Sequence, residues 1–154
     1  MSSCCSQSES SAERPACPQS GSHGVRVDRV TVKAMLTEQA LARIAQTVHW
    51  FCADAQCDVV YFTADGGIYS KEDVRVPVWH KEATGDRTVC YCFGETESAI
   101  RAEIKATGRS EAIQRIRRHI DADRCACDVR NPRGVCCLGD VSIMVRRLAG
   151  SPDA

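Results

Sequence analysis

Val89-Cys90-Tyr91-Cys92-Phe93-Gly94 decides the reading of this chain. Residues 93–124, 32 in all, separate Cys92 from Cys125-Ala126-Cys127. The insert DVRNPRGV (128–135) then leads to Cys136-Cys137. Between the cysteine groups, apolar residues recur at helical spacing. Thr96 suits the N-cap of a helix over 97–107 carrying Ile100 and Ile104, and Gly108 suits its end. Ser110 can cap a second helix over 111–120 with Ile113, Ile116 and Ile120. Folded as a hairpin, these helices return Cys125 to the side of Cys90 and Cys92. Iron bridged by sulfide takes soft, charged thiolate ligands best. A C-x-C pair with further cysteines across a helical hairpin therefore points to an iron–sulfur cluster. The turn-rich segment 121–139 precedes a last helix, expected from about Asp140, with Val141, Val145 and Leu148 on one face.

The first half reads differently. VRVDRVTV (25–32) alternates like a strand, and KAMLTEQALARIAQT (33–47) carries apolar residues at helical spacing. DVVYF (58–62) is a strand, Ala64-Asp65-Gly66-Gly67 a turn, and Ile68-Tyr69 the returning arm of a hairpin. Ser70 and Asp73 fit a capping-box variant on a short helical turn. Val74–Trp79 reads as extended, with Pro77 confining it to an edge or a strand end. The segment 83–87 is a polar linker. The expected organisation is thus a disordered tail at 1–14, a β-rich α+β subdomain at 15–82, a helical subdomain at 88–149 and a frayed tail at 150–154.

Composition narrows the function. The chain has 154 residues, 44% hydrophobic but only 5% aromatic, so its core must be largely aliphatic. Its formal net charge is zero, which argues against nucleic acid or an anionic membrane as partner. The first 22 residues lack the apolar region of a secretory signal, and no apolar run approaches the ~20 residues that span a bilayer. Eleven cysteines in a chain without a secretory signal read as metal ligands in a reducing cytoplasm rather than as disulfides. The chain contains no H-E-x-x-H motif, no Ser-His-Asp arrangement and no carboxylate dyad, so catalysis by its own side chains is not expected.

The cysteine spacing resembles the bacterioferritin-associated ferredoxin type of cluster domain, which implies a 2Fe–2S cluster. That type ends in C-x-x-C, whereas this chain has Cys125-Ala-Cys127, an insert and Cys136-Cys137. The runs VCYCFGET (89–96), RCACDVRNPRGVCCLGDV (124–141) and CADAQCDVVYF (52–62) together look like the N-terminal domain of CopZ-type copper chaperones. That resemblance covers about residues 17–145. It implies an α+β fold in which a small zinc-binding β-rich subdomain is followed by a helical 2Fe–2S subdomain. Carried over, Cys90 and Cys92 supply two cluster ligands. An apolar helix residue four positions after the last ligand favours Cys137, which has Val141 there, over Cys136, which has Asp140. Cys125 and Cys127 remain alternatives for the other ligand. The two unused thiols either pack or form an exposed soft site for cuprous ion.

The resemblance also implies a zinc site from Cys17, Cys52 and Cys57. The family's first limb reads C-P-x-C-G; here it is Cys17-Pro18-Gln19-Ser20-Gly21, with serine in place of the second cysteine. The fourth ligand is then open among His23, Cys4, Cys5, Asp54, Asp58 and water. The competing reading of His23, and the favoured one, is a solvated loop residue. His49 and His80 read as packing residues, and Arg115, Arg117, Arg118 and Arg124 as a basic edge for an acidic partner or a solvated helix face.

The function implied is a 2Fe–2S and zinc metallochaperone that handles copper, reducing cupric to cuprous ion or passing Cu+ to a copper ATPase. Such chaperones also carry a ferredoxin-like copper-binding domain with a C-x-x-C loop, which these residues do not include. The expected partners are therefore a copper ATPase, a separate copper-binding domain or a redox partner. The alternative is a small electron-transfer or regulatory ferredoxin without metal cargo.

Overall fold

The computed structural model describes residues 14–150. The expected tails, with Cys4 and Cys5, lie outside the described residues apart from Arg14 and Gly150. The fold is mixed, a small β-rich N-terminal part followed by helices.

Strands β1 (Val25–Val27), β2 (His49–Phe51), β3 (Val59–Phe62) and β4 (Ile68–Ser70) form an antiparallel sheet in sequence order. Val25 faces Phe51, Phe51 faces Tyr61 and Tyr61 faces Tyr69. β3 is buried along its whole length, and its pairing with β4 shifts between Val59 and Tyr61. Val60 and Tyr61 enter the main apolar core, whereas Val59 and Phe62 face a second cluster with Cys17, Cys52 and Cys57. The hairpin at 64–67 forms as expected: Gly66 takes φ +95°, and the Thr63 hydroxyl accepts the Gly67 N–H at 2.8 Å.

Three sequence expectations change here. VRVDRVTV is not one strand: the period switches after Val27, and α1 (Arg29–Met35) buries Thr31, Val32 and Met35. The helix expected over 33–47 breaks at Leu36, which bridges to Val74. Thr37 then caps α2 (Glu38–Leu41) by accepting the Ala40 N–H at 3.3 Å. β2 was not expected, because three residues carry too little alternation; its sheet neighbours on both sides define it. The Ser70–Asp73 capping box is present, on a single 3-10 turn over Lys71–Asp73.

β5 (Thr88–Cys90) and β6 (Glu95–Thr96) form a two-stranded ribbon, its turn closed by Gly94 at φ +70°. The helical hairpin follows as α3 (Glu97–Thr107) and α4 (Ala112–Asp121). Thr96 accepts the Ala99 N–H, and Gly108 ends α3 in the left-handed region at φ +81°. The Ser110 hydroxyl accepts the Ala112 N–H at 3.2 Å. A short helix, α5 (Cys127–Arg130), lies in the segment expected to be only turns and packs on α1. α6 (Leu138–Ala149) packs on α3, α4 and β5. Ile100, Ile116, Val141, Met144 and Leu148 build this second core with Trp79 and Val89.

The two halves meet at the segment 128–135. The Tyr61 hydroxyl, on β3, donates to the Pro132 carbonyl. Gly134 passes so close to α1 that a Cβ there would sit 2.6 Å from the Thr31 hydroxyl. Tyr61→Phe removes the donor and leaves a buried carbonyl unpaired, so it should cost about 1–2 kcal/mol. Urea unfolding checks this, and an unchanged midpoint would show that the contact carries no weight.

Candidate metal centres

The N-terminal centre is built from two tight turns. In the first, Gly21 N–H bonds the Cys17 carbonyl at 2.8 Å, and Cys17 N–H bonds the Ser22 carbonyl at 2.8 Å. Gly21 makes this turn possible by taking φ +76°. In the second, Asp54 accepts N–H bonds from Gln56 to its carboxylate and from Cys57 to its carbonyl, at 2.8 and 3.2 Å. Together they bring Cys17, Cys52 and Cys57, all buried, to within 4.8 Å of one another at their sulfurs. Cys17 and Cys57 sulfurs are 3.9 Å apart.

Ser20 stands at the fourth corner. Its hydroxyl lies 3.4 Å from the Cys52 sulfur and accepts the Ser22 N–H at 3.2 Å. Burial pushes the Cys17 thiol up, but the Ser20 and Gln19 N–H groups and the Ser20 hydroxyl outweigh it and hold the thiol below its ordinary value. Burial and the neighbouring Cys52 push Cys57 up. The donor set suits zinc, which takes thiolates in a tetrahedral arrangement. His23 does not join this group: it is exposed, and its Nδ1 lies 3.0 Å from the Arg14 carbonyl. The Ala16–His23 bridge holds it on the flank of the turn.

The C-terminal centre has a different shape. The Cys137 thiol donates to Cys90 at 2.8 Å, and Cys92 and Cys127 sulfurs are 3.5 Å apart. Each close pair joins one residue of the C-x-C turn to one from the distal segment. The Ala126 N–H points at the Cys92 sulfur at 3.4 Å. The Cys137 thiol stabilises its neighbours as thiolates. It lowers Cys90, and it brings Cys127 down to about 6 against the opposing effect of burial. Burial pushes Cys92 up to about 12. Of the remaining thiols, Cys125 is half-buried near Cys127, Cys136 and Cys90, while Cys136 is exposed. Packing therefore does not account for Cys136.

Asp140 is buried, 3.1 Å from Arg133 and 3.7 Å from His80. One minor reading changes. Arg115 is not part of a free basic edge. It forms a two-bonded pair with buried Glu95, at 2.7 and 3.0 Å, and also binds Glu103. Arg117, Arg118 and Arg124 remain exposed. His49 is buried, and burial lowers its pKa.

Residues 14–75 match a zinc binding domain family of the CopZ type. The N-terminal half is thus similar to zinc-binding domains of that type. The whole fold is similar to the crystal structure of the Archaeoglobus fulgidus CopZ N-terminal domain, with a TM-score of 0.70 and 28% sequence identity. The likeness covers 84% of this chain and 97% of that one. No curated protein matches the chain. Among the described residues no helix is long and apolar enough to cross a membrane.

Zinc binding and folding are linked here, because the three thiols are core residues alongside Val59 and Phe62. Cys52→Ser should lower bound zinc from about one per chain to a small fraction and reduce stability by several kcal/mol. Metal analysis and thermal unfolding test both, and full zinc retention would remove Cys52 from the site.

Proposed function

We propose that this protein is a CopZ-like metallochaperone in which a 2Fe–2S cluster beside the zinc-binding domain supports copper handling in a reducing cytoplasm. The observation that carries this reading is the pairing of Cys90 with Cys137 and of Cys92 with Cys127. A two-iron core needs two thiolates on each iron, four in all, and these four sulfurs gather at one centre. The overall likeness to the CopZ N-terminal domain adds support. In this reading Cys127, rather than Cys125, joins Cys90, Cys92 and Cys137 as ligand.

When bound, the cluster supplies one-electron chemistry. The chain's own residues set its surroundings. Burial of Cys90 and Cys137 keeps water from those sulfurs, and the Ala126 N–H offers a hydrogen bond to Cys92. Cupric ion would be the substrate and an external one-electron donor the reductant; the product, cuprous ion, is a soft cation that prefers thiolates. Cys125 and Cys136 lie outside this ligand set. The carrier onward is a copper ATPase or a separate copper-binding domain, and exposed Arg117, Arg118 and Arg124 offer a docking edge for an acidic partner.

Anaerobic purification with a visible spectrum and metal analysis tests the cluster. About two iron and two sulfide per chain are expected, with about one zinc. A colourless, iron-free protein would refute the cluster. Cys127→Ala should lose colour and iron, while Cys125→Ala should keep both; the reverse result would exchange their roles. Titration of cuprous ion against a strong chelator tests the cargo, and copper wholly surrendered to the chelator would favour a plain electron-transfer protein.

A further inference from the structure

Ser20 changes what the N-terminal centre can do. The turn around it is fully formed, so a cysteine at that position would complete a closed four-sulfur site. The hydroxyl found there is a poor zinc ligand, and it is already engaged by Ser22 N–H and by the Cys17 and Cys52 sulfurs. Among the described residues the site offers three protein ligands, and three ligands with one open position is the arrangement that distinguishes reactive zinc sites from closed structural ones.

Two further observations bear on what fills the position. A solvent-open cleft of about 220 Å³ adjoins it, lined by Gln19, Ser20, Asp54, Gln56 and Cys57. Behind Cys57 lies Lys81, only 6% exposed, whose ammonium bonds the Asp54 carbonyl at 2.7 Å and the Cys57 carbonyl at 3.1 Å. Among the described residues no carboxylate pairs with Lys81. A buried charge without a counter-ion is costly. Three thiolates around a divalent cation carry one net negative charge, and a fourth anionic sulfur would add another. Lys81 is placed to offset that charge.

We propose that the Cys17–Cys52–Cys57 centre keeps its fourth position for an exogenous low-molecular-weight thiolate of about the size of free cysteine. The cleft admits a ligand of that size. The Ser20 hydroxyl positions the incoming sulfur by hydrogen bonding rather than acting as a ligand. The thiol loses one proton to solvent on binding, and no redox change is involved. The inference rests on the zinc reading of this centre and goes beyond it, since the domain would then bind small thiols reversibly.

X-ray absorption at the zinc edge of the full chain tests this without interference from iron. Without thiol, about three sulfur neighbours and one lighter oxygen or nitrogen are expected. With excess free cysteine the count should rise to about four sulfurs. Ser20→Cys should show four sulfurs with or without thiol, and Ser20→Ala should need a several-fold higher cysteine concentration to reach four. Four sulfurs in the untreated wild type would overturn the proposal, because another cysteine of the chain then fills the corner. An unchanged spectrum with thiol would overturn it too. Absence of zinc from the purified protein would instead refute the zinc reading itself.

Discussion

Six buried thiols, on Cys17, Cys52, Cys57, Cys90, Cys127 and Cys137, must be drawn from distant parts of the chain into sulfur–sulfur contact. That constraint organises both halves. In the first, β2 and β3 carry Cys52 and Cys57 at the two ends of one connection, and the 17–21 turn is laid against them. In the second, the α3–α4 hairpin exists to bring the distal cysteines back over the ribbon that holds Cys90 and Cys92. α6 then presses Cys137 down with Val141 and Met144, both fully buried.

The two centres rest on cores of unequal size. The main N-terminal core joins residues from α1, α2 and the sheet, and it is separate from the small sulfur-lined cluster. The sheet therefore has apolar support of its own. The C-terminal core includes Cys90, Cys127 and Cys137 themselves. A change at those thiols should be felt more directly there, since they are part of the packing itself. Buried ion pairs reinforce the frame around it. Glu97, almost wholly buried, is held between Arg87 at 2.6 Å and Arg101 at 3.1 Å. Glu95 is held by Arg115 in the same way.

What the sequence made legible followed from how local each signal is. The helices at 97–107 and 111–120 were readable within a residue or two, because Thr96, Gly108 and Ser110 act on their own backbone neighbours. The hairpin at 58–69 was readable for the same reason. β2 and α5 were not, because partners distant in sequence stabilise them: β1 and β3 in one case, α1 in the other. The split of 25–32 into strand and helix was hidden because valines serve both periods. At the C-terminal centre, spacing left Cys125 and Cys127 as alternatives. The choice depends on how the 128–135 insert folds, and that is fixed by Tyr61 and Thr31 from the other half of the chain.

The serine in the first turn is informative because His23 does not take the place of a fourth sulfur: its ring bonds a backbone carbonyl on the outside. Had the site been abandoned, Cys17 would have no reason to be buried with two N–H groups aimed at its sulfur. Gly21 would have no reason to hold φ +76°. The turn keeps the geometry of a four-ligand site while offering three ligands and a hydroxyl. Lys81 supplies a buried positive charge bonded to the Asp54 and Cys57 carbonyls. A site with that shape and charge is built to keep its metal and to leave one coordination position for something that comes and goes.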